Sequence, residues 1–299
     1  MNATCPALSL LVVSARRFLQ VDVFGAGAGI GNPVAVVLDA DGLADEEMAQ
    51  FARWTNLSET TFVSAPTSDE ADYRLRIFTP GGELPFAGHP TLGSAHAWLT
   101  VAADPAGVRP RLVQECGIGN VVVTHDGAGN FAFAAPELRR TGAPDAQTLD
   151  RVRAACGLRR SDVVAAQWVD NGPPWLGLLL TDGQRVLDVV PDAAAFAPGD
   201  FVGLIGPWRT ATGPAGPGDA DYEVRAFAPG TGVPEDPVTG SLNAGLAVWL
   251  RGIGAVPERY VAAQGTVLGR TGRVRIDDDG ESIWVGGRAR TVIAGTVEL

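Results

Sequence analysis

Three short stretches gather side chains able to move protons. Residues 55–62, Thr-Asn-Leu-Ser-Glu-Thr-Thr-Phe, set Glu59 and its neighbour Ser58 at a helix-to-strand junction among small hydroxyls. Residues 86–91, Phe-Ala-Gly-His-Pro-Thr, place His89 just ahead of an apolar run. Residues 234–241, Pro-Glu-Asp-Pro-Val-Thr-Gly-Ser, place Asp236 just ahead of another. Two carboxyls and an imidazole suit general acid–base chemistry, in which a proton leaves one carbon and another is returned elsewhere. A carboxyl beside apolar groups such as Leu57 and Phe62 holds its proton more tightly and is the stronger base once ionised. Free N–H groups at the two helix starts would stabilise the negative charge that develops. Gly240 N–H and Ser241 are candidate donors to a substrate carboxylate.

Each residue also has a plainer reading. A glutamate at a helix end is often a solvated or capping group. Asp236 ahead of Pro237 fits an N-cap with proline at N1, worth about 1 kcal/mol and no chemistry. His89 before a proline fits a turn histidine bonded to a carbonyl, and His96 and His125 read as structural. Glycine at 88, 93 and 240 is also what entry into an enclosed helix requires.

A duplication tips the balance toward chemistry. Residues 72–80 read D-Y-R-L-R-I-F-T-P and residues 221–229 read D-Y-E-V-R-A-F-A-P, an offset of 149 in a chain of 299. Each copy runs into a turn rich in glycine and proline, then a helix-like run opening on P-x-x-G-S, at Pro90 and at Pro237. His89 and Asp236 then hold the same place, one residue before the matched proline. Such a repeat predicts two like domains with a pocket on the pseudo-twofold between them.

The elements that must position these groups follow from hydrophobic pattern. Residues 20–24 and 34–38 read as strands, and residues 45–54 as an amphipathic helix burying Met48, Phe51, Ala52 and Trp54. The glycines of residues 25–31 follow G-x-G-x-G-x-G and lead into a strand, so no helix start awaits a dinucleotide pyrophosphate. Residues 91–101 and 242–250 are apolar nearly all round, and a helix without a polar face must be enclosed by protein. Further strands are predicted at 120–124, 130–134, 175–180, 273–276 and 283–285, with a linker at 136–144. The expected class is α+β, with domains at 16–137 and 145–287, each a curled, mostly antiparallel sheet or barrel around a central helix.

Composition narrows the function. Hydrophobic residues at 46% with charged residues at 19% describe a compact soluble globule. A net charge of −11 argues against nucleic acid as a partner. All 23 basic residues are arginine, which excludes pyridoxal-phosphate and Schiff-base chemistry that needs a lysine amine. Cys5, Cys116 and Cys156 form no C-x-x-C and read as reduced thiols of a cytoplasmic protein. No H-E-x-x-H is present, so no metal is expected. The apolar residues 7–13 are too few to span a bilayer and precede Arg16-Arg17, the reverse of a signal peptide. The first dozen or so residues read as a loose extension.

The motifs V-D-V-F, G-N-P-V-A-V-V, N-L-S-E-T-T-F-V, F-T-P-G-G-E-L-P-F-A-G-H-P-T-L-G, E-D-P-V-T-G-S and Q-G-T-V-L-G-R-T-G-R-V occur in that order. In this the chain resembles the PhzF family of phenazine-biosynthesis isomerase-like proteins. The resemblance implies the diaminopimelate epimerase fold, a last strand at about 288–299 returning to the first domain, a homodimer and no cofactor. It implies that Glu59 shuttles a proton between carbons of a cyclic amino-hydroxy acid. His89 and Asp236 would assist, and Ser58, Gly88, Gly240 and Ser241 would contact the substrate. Where diaminopimelate epimerases carry two thiols, this chain has Gly88 and Asp236, so two-thiol racemisation is not expected. The glycine-rich turn replaces one that carries a proline and an aromatic residue; if it shapes the pocket, the substrate differs. The implied function is a cofactor-independent isomerase of a small amino- or hydroxy-carboxylic acid. The rivals are an epimerase using Glu59 and Asp236 on opposite faces, and a binding protein without turnover.

Overall fold

The computed structural model describes residues 14–101, 110–210, 213, 214, 216, 218, 220–231 and 233–299. The predicted loose extension, residues 1–13 with Cys5, lies outside them. The first half contains β1 (Ala15–Val23), β2 (Asn32–Val37), α1 (Asp45–Thr55), β3 (Glu59–Ser64), β4 (Tyr73–Thr79), β5 (Gly82–Leu84), α2 (Gly88–Val101), β6 (Arg111–Cys116), β7 (Gly119–His125) and β8 (Asn130–Ala134). The second contains α3 (Ala146–Ala155), β9 (Val163–Trp168), β10 (Trp175–Leu180), α4 (Gly183–Leu187), β11 (Phe201–Pro207), a short hairpin of β12 (Arg209–Thr210) and β13 (Gly213–Pro214), β14 (Tyr222–Ala228), β15 (Val233–Asp236), α5 (Gly240–Gly252), β16 (Arg259–Gln264), β17 (Gly272–Asp278) and β18 (Ile283–Glu298). No helix of the described residues is long and apolar enough to cross a membrane.

Strands β1, β2, β3, β4, β6, β7, β8 and β18 pair in that order, and β18 closes on β1 to complete a barrel around α2. Strands β18, β17, β16, β14, β11, β10 and β9 curl likewise around α5. The exceptions to antiparallel pairing repeat: β2–β3 and β4–β6 in one half, β10–β11 and β14–β16 in the other. The class is α+β with two pseudo-symmetric sheets, each wound around a helix.

The duplication extends to hydrogen bonds. The Val113 N–H donates to Asp72 Oδ2 at 2.7 Å, and the Val261 N–H donates to Asp221 Oδ2 at 2.9 Å. Each aspartate returns its own N–H to the same valine's carbonyl at 2.8 Å. Arg76 grips both oxygens of Glu83 at 2.8 and 2.6 Å, while Arg225 grips those of Glu235 at 2.8 and 2.7 Å. These bidentate pairs tie β5 to β4 and β15 to β14, setting the strand ends beside the cavity described below.

The halves exchange segments at their seam. Residues 284–288 of β18 pair with β8, and residues 289–298 run on beside β1. In the opposite direction, residues 136–144, predicted as a linker, lie along the second sheet. There the Arg139 N–H donates to the Asp170 carbonyl at 2.6 Å and the Trp168 N–H to the Gly142 carbonyl at 2.9 Å.

Three local expectations need correction. Trp54 is 78% exposed, whereas Met48, Phe51 and Ala52 are buried. It falls roughly 120° round the helix from Met48 and leaves the core stripe, stacking on Phe51 at a centroid distance of 5.9 Å. The strand predicted at 20–24 begins at Ala15, because Arg16 and Arg17 sit on the outer part of a barrel strand. The two P-x-x-G-S motifs open their helices differently. Helix α2 starts at Gly88, two residues before Pro90, which its first turn tolerates. Helix α5 starts at Gly240 with Thr239 at the N-cap, so Asp236 ends a strand and caps nothing.

Candidate active site

Between the two sheets lies a cavity of about 320 Å³. Ser58, Glu59, Glu83, Asp236, Thr239 and Ser241 line its polar side, and Leu84, Ala87, Pro173, Trp175, Phe201 and Ala228 its apolar walls. No arginine is among the described lining residues, so an anionic group there meets hydroxyls and N–H groups rather than a guanidinium.

Local folding aims Glu59 into this space. Helix α1 stops at Asn56, whose left-handed φ of 53° turns the chain, and its N–H donates back to Ala52 O at 3.2 Å. Glu59 then opens β3, paired in parallel with Val34 of β2. Its side chain keeps 14% exposure, and Oε2 stands 3.3 Å from His89 Nε2 without the alignment of a hydrogen bond. Burial pushes the Glu59 carboxyl up to about 8, helped by the negative charge of Asp236 and opposed by the Ser58 hydroxyl. Burial pushes His89 down to about 3, opposed by the Pro33 carbonyl. Between those limits the pair is a carboxylic acid facing a neutral imidazole, not an ion pair.

Asp236 completes the polar wall. Burial raises its proton affinity, and the Thr239 hydroxyl at 2.5 Å and the Asn32 amide at 2.8 Å oppose that rise. Asn32 is fully buried; its Nδ2 also reaches Val238 O at 2.9 Å and His89 Nδ1 at 3.2 Å, and its Oδ1 accepts from Ser58 Oγ at 3.2 Å. It stands in the G-N-P-V-A-V-V motif without any role assigned from sequence. The available signal was an asparagine fixed by the following proline at a strand start.

The helix starts meet where the cavity ends. Gly88 and Gly240 touch backbone to backbone, and neither they nor His89 lie on the cavity surface. His89 instead sits behind Glu59, joined to Asp236 through the Asn32 amide. Ser241 does line the cavity; the Trp175 indole N–H donates to its Oγ at 3.1 Å, leaving the hydroxyl hydrogen free to donate. Trp175, in edge-to-face contact with Phe201 at 5.2 Å, is a second wall residue not singled out from the sequence.

The glycine-rich turn does not shape this cavity. Its Ile30 and Gly31 N–H groups donate to the buried Asp22 carboxylate at 3.1 Å, and a Cβ on Gly31 would meet Val23 O at 2.2 Å. The turn docks on the second half, where Ile30 O accepts the Thr271 N–H at 2.9 Å and Gly29 O accepts from Arg270, and it holds no lining residue.

A family model described as phenazine biosynthesis-like protein matches residues 21–295. The chain belongs to this PhzF family. The protein named antisense-enhancing sequence 1 from Schizosaccharomyces pombe is 37% identical over 94% of this chain and 98% of its own length. The trans-2,3-dihydro-3-hydroxyanthranilate isomerase of Pseudomonas aeruginosa is 35% identical over 90% of this chain and 93% of its own. A PhzF-family crystal structure from Enterococcus faecalis superposes with a TM-score of 0.74 at 25% identity, covering 96% of this chain and 100% of that one. Several curated PhzF-like relatives are named isomerases, and this chain is an isomerase of the family.

Proposed function

We propose that the chain isomerises a small amino- or hydroxy-carboxylic acid by proton transfer through its own side chains, with Glu59 as base and then acid. The observation that carries this is the Glu59 carboxyl, raised to about 8 and lining a mostly apolar cavity shared with Asp236. A carboxyl tuned near the working pH accepts and returns a proton at little cost. In the forward step the ionised form of Glu59, the minor one below pH 8, takes a substrate C–H proton, and the electron pair left behind spreads into the adjoining unsaturated system. Glu59 then returns the proton to a second carbon, so the double bond has moved and the formula is unchanged. His89, neutral behind Glu59, stands 3.3 Å from one carboxyl oxygen and leaves the other to the substrate. Ser241, in the first turn of α5, supplies a neutral donor for the substrate carboxylate. Trp175, Phe201 and Leu84 suit an unsaturated ring.

The same reading joins residues 16–137 and 288–299 in one domain, places 145–287 in the other, and expects a cytoplasmic homodimer.

The test is incubation with trans-2,3-dihydro-3-hydroxyanthranilate, and with a panel of cyclic unsaturated amino acids, in deuterated buffer. Carbon-bound deuterium is expected with the wild-type chain and none with Glu59→Gln. Turnover by Glu59→Gln at the wild-type rate would end the reading. Inversion at the labelled carbon without a moved double bond would favour an epimerase, for which two acids on one cavity also provide.

A further inference from the structure

Asn32 stays off the cavity surface yet touches Asp236 itself and two neighbours of Glu59, Ser58 and His89. Its amide group carries two hydrogens, and Asp236 Oδ1 at 2.8 Å and Val238 O at 2.9 Å accept them, while His89 Nδ1 at 3.2 Å competes only in the tautomer that carries its hydrogen on Nε2. An anionic oxygen outcompetes a neutral ring nitrogen for such a hydrogen. At the other end of the side chain, Oδ1 accepts from Ser58, a hydroxyl with one hydrogen that Glu59 also draws on. The groups therefore form a line from Glu59 through Ser58 and Asn32 to Asp236. An apolar side chain at position 32 would free the Ser58 hydrogen for Glu59 and strip a donor from Asp236.

We propose that Asn32 is a positioning residue that divides proton affinity between the two acids, keeping the proton on Glu59 and the negative charge on Asp236 in the empty site. The inference rests on the roles proposed for Glu59 and Asp236. The other titratable groups facing them are Glu83 from β5 across the cavity, held by Arg76, His89 from α2, and Glu235, which adjoins Asp236 in β15 and is held by Arg225. Gln264 of β16 reaches only the backbone carbonyl of Asp236, at 3.1 Å.

The experiment is a pH titration of the side-chain carboxyl carbons by 13C NMR on the whole protein without substrate. The Glu59 and Asp236 signals are assigned from Glu59→Gln and Asp236→Asn. In Asn32→Ala the Asp236 midpoint should rise by about one pH unit, the scale of one hydrogen bond to a charged group. The Glu59 midpoint should fall, because Ser58 turns to it and the neighbouring negative charge weakens. Asn32→Ser, which keeps one donor, should show the same opposed shifts at smaller size and decides the matter if the alanine variant does not fold. Loosened packing would instead admit water and lower both midpoints together. Shifts of one sign, or none, overturn the proposal. The readout needs no turnover, so it stands apart from the Glu59→Gln deuterium experiment and fails separately from it.

Discussion

A Cβ on Gly88 would lie 2.6 Å from the Cα of Gly240, and one on Gly240 would lie 2.8 Å from the Cα of Gly88. The helix starts of the two halves thus meet with no room for a methyl group, and the obstacle is backbone, which has no rotamer to escape into. Gly88→Ala should force α2 and α5 apart and destabilise the protein by about 1–3 kcal/mol. Gly252→Ala, at the exposed end of α5 with open space around it, serves as control and should be neutral or slightly stabilising. Urea unfolding of both variants tests this; equal costs would show that the contact is loose.

Glu59 makes the protein less stable as pH rises. Its folded value of about 8 lies above the ordinary 4.5, so between those limits the unfolded chain releases a proton that the folded chain keeps. Fewer protons are then bound by the unfolded state, and stability falls across that window and levels off above it. Glu59→Gln removes the effect. It should match the wild type below pH 4.5 and exceed it by roughly 1–3 kcal/mol above pH 8. Denaturation across that range checks the sign; a variant less stable than wild type at pH 9 would mean that the native fold favours the ionised carboxyl instead of penalising it.

His89 acts in the opposite sense. Its folded value of about 3 lies below the ordinary 6.5, so between those limits the unfolded chain takes up a proton that the folded chain refuses. Stability should therefore fall as pH drops from 6.5 toward 3. His89→Asn should flatten that slope in unfolding curves taken at pH 4, 5 and 6.5. An unchanged slope would assign the acid sensitivity to other groups.

The class and the enclosure of both helices were legible because residues 91–101 and 242–250 show no polar face. The site was legible where the side chains are unusual for their surroundings. Glu59 and Asp236 are titratable groups bordering apolar runs and, with their sequence neighbours Ser58 and Ser241, line the cavity, whereas Gly88, His89 and Gly240, singled out by the same signal, lie behind it. Asn32 and Trp175 were not, since an asparagine in a turn and a tryptophan in a strand are ordinary. Their significance lies in contacts to Asp236, 204 residues away, and to Ser241, 66 residues away. The second half of β18 was implied by the family resemblance alone, and the hydrophobic pattern stopped at residue 285 for a related reason. Its pattern is largely exposed from Arg290 onward, and only closure of the barrel against β1 makes it a strand. The helix starts slipped because proline is compatible both with a first turn, as at Pro90, and with the extended approach to one, as at Pro237.

The repeated arginine–glutamate pair has diverged in burial, and its two copies should respond differently to truncation. Arg225 keeps 2% exposure, pairs with Glu235, and donates from Nη1 to Val189 O at 2.5 Å and Val186 O at 3.3 Å. Its removal strands a buried carboxylate and two carbonyls, a loss of about 3–5 kcal/mol. Arg76 is 20% exposed, and its partners Glu83 and Asp45 are 42% and 84% exposed. Water takes over those contacts, so Arg76→Ala should cost about 0–1 kcal/mol. Added salt should shrink the Arg76 effect further and leave the Arg225 effect nearly unchanged, because screening reaches only the exposed pair. Guanidinium, itself a salt, would blur that contrast; urea unfolding with and without 0.5 M sodium chloride resolves it. Equal losses at the two arginines would show that the second copy is as well hydrated as the first.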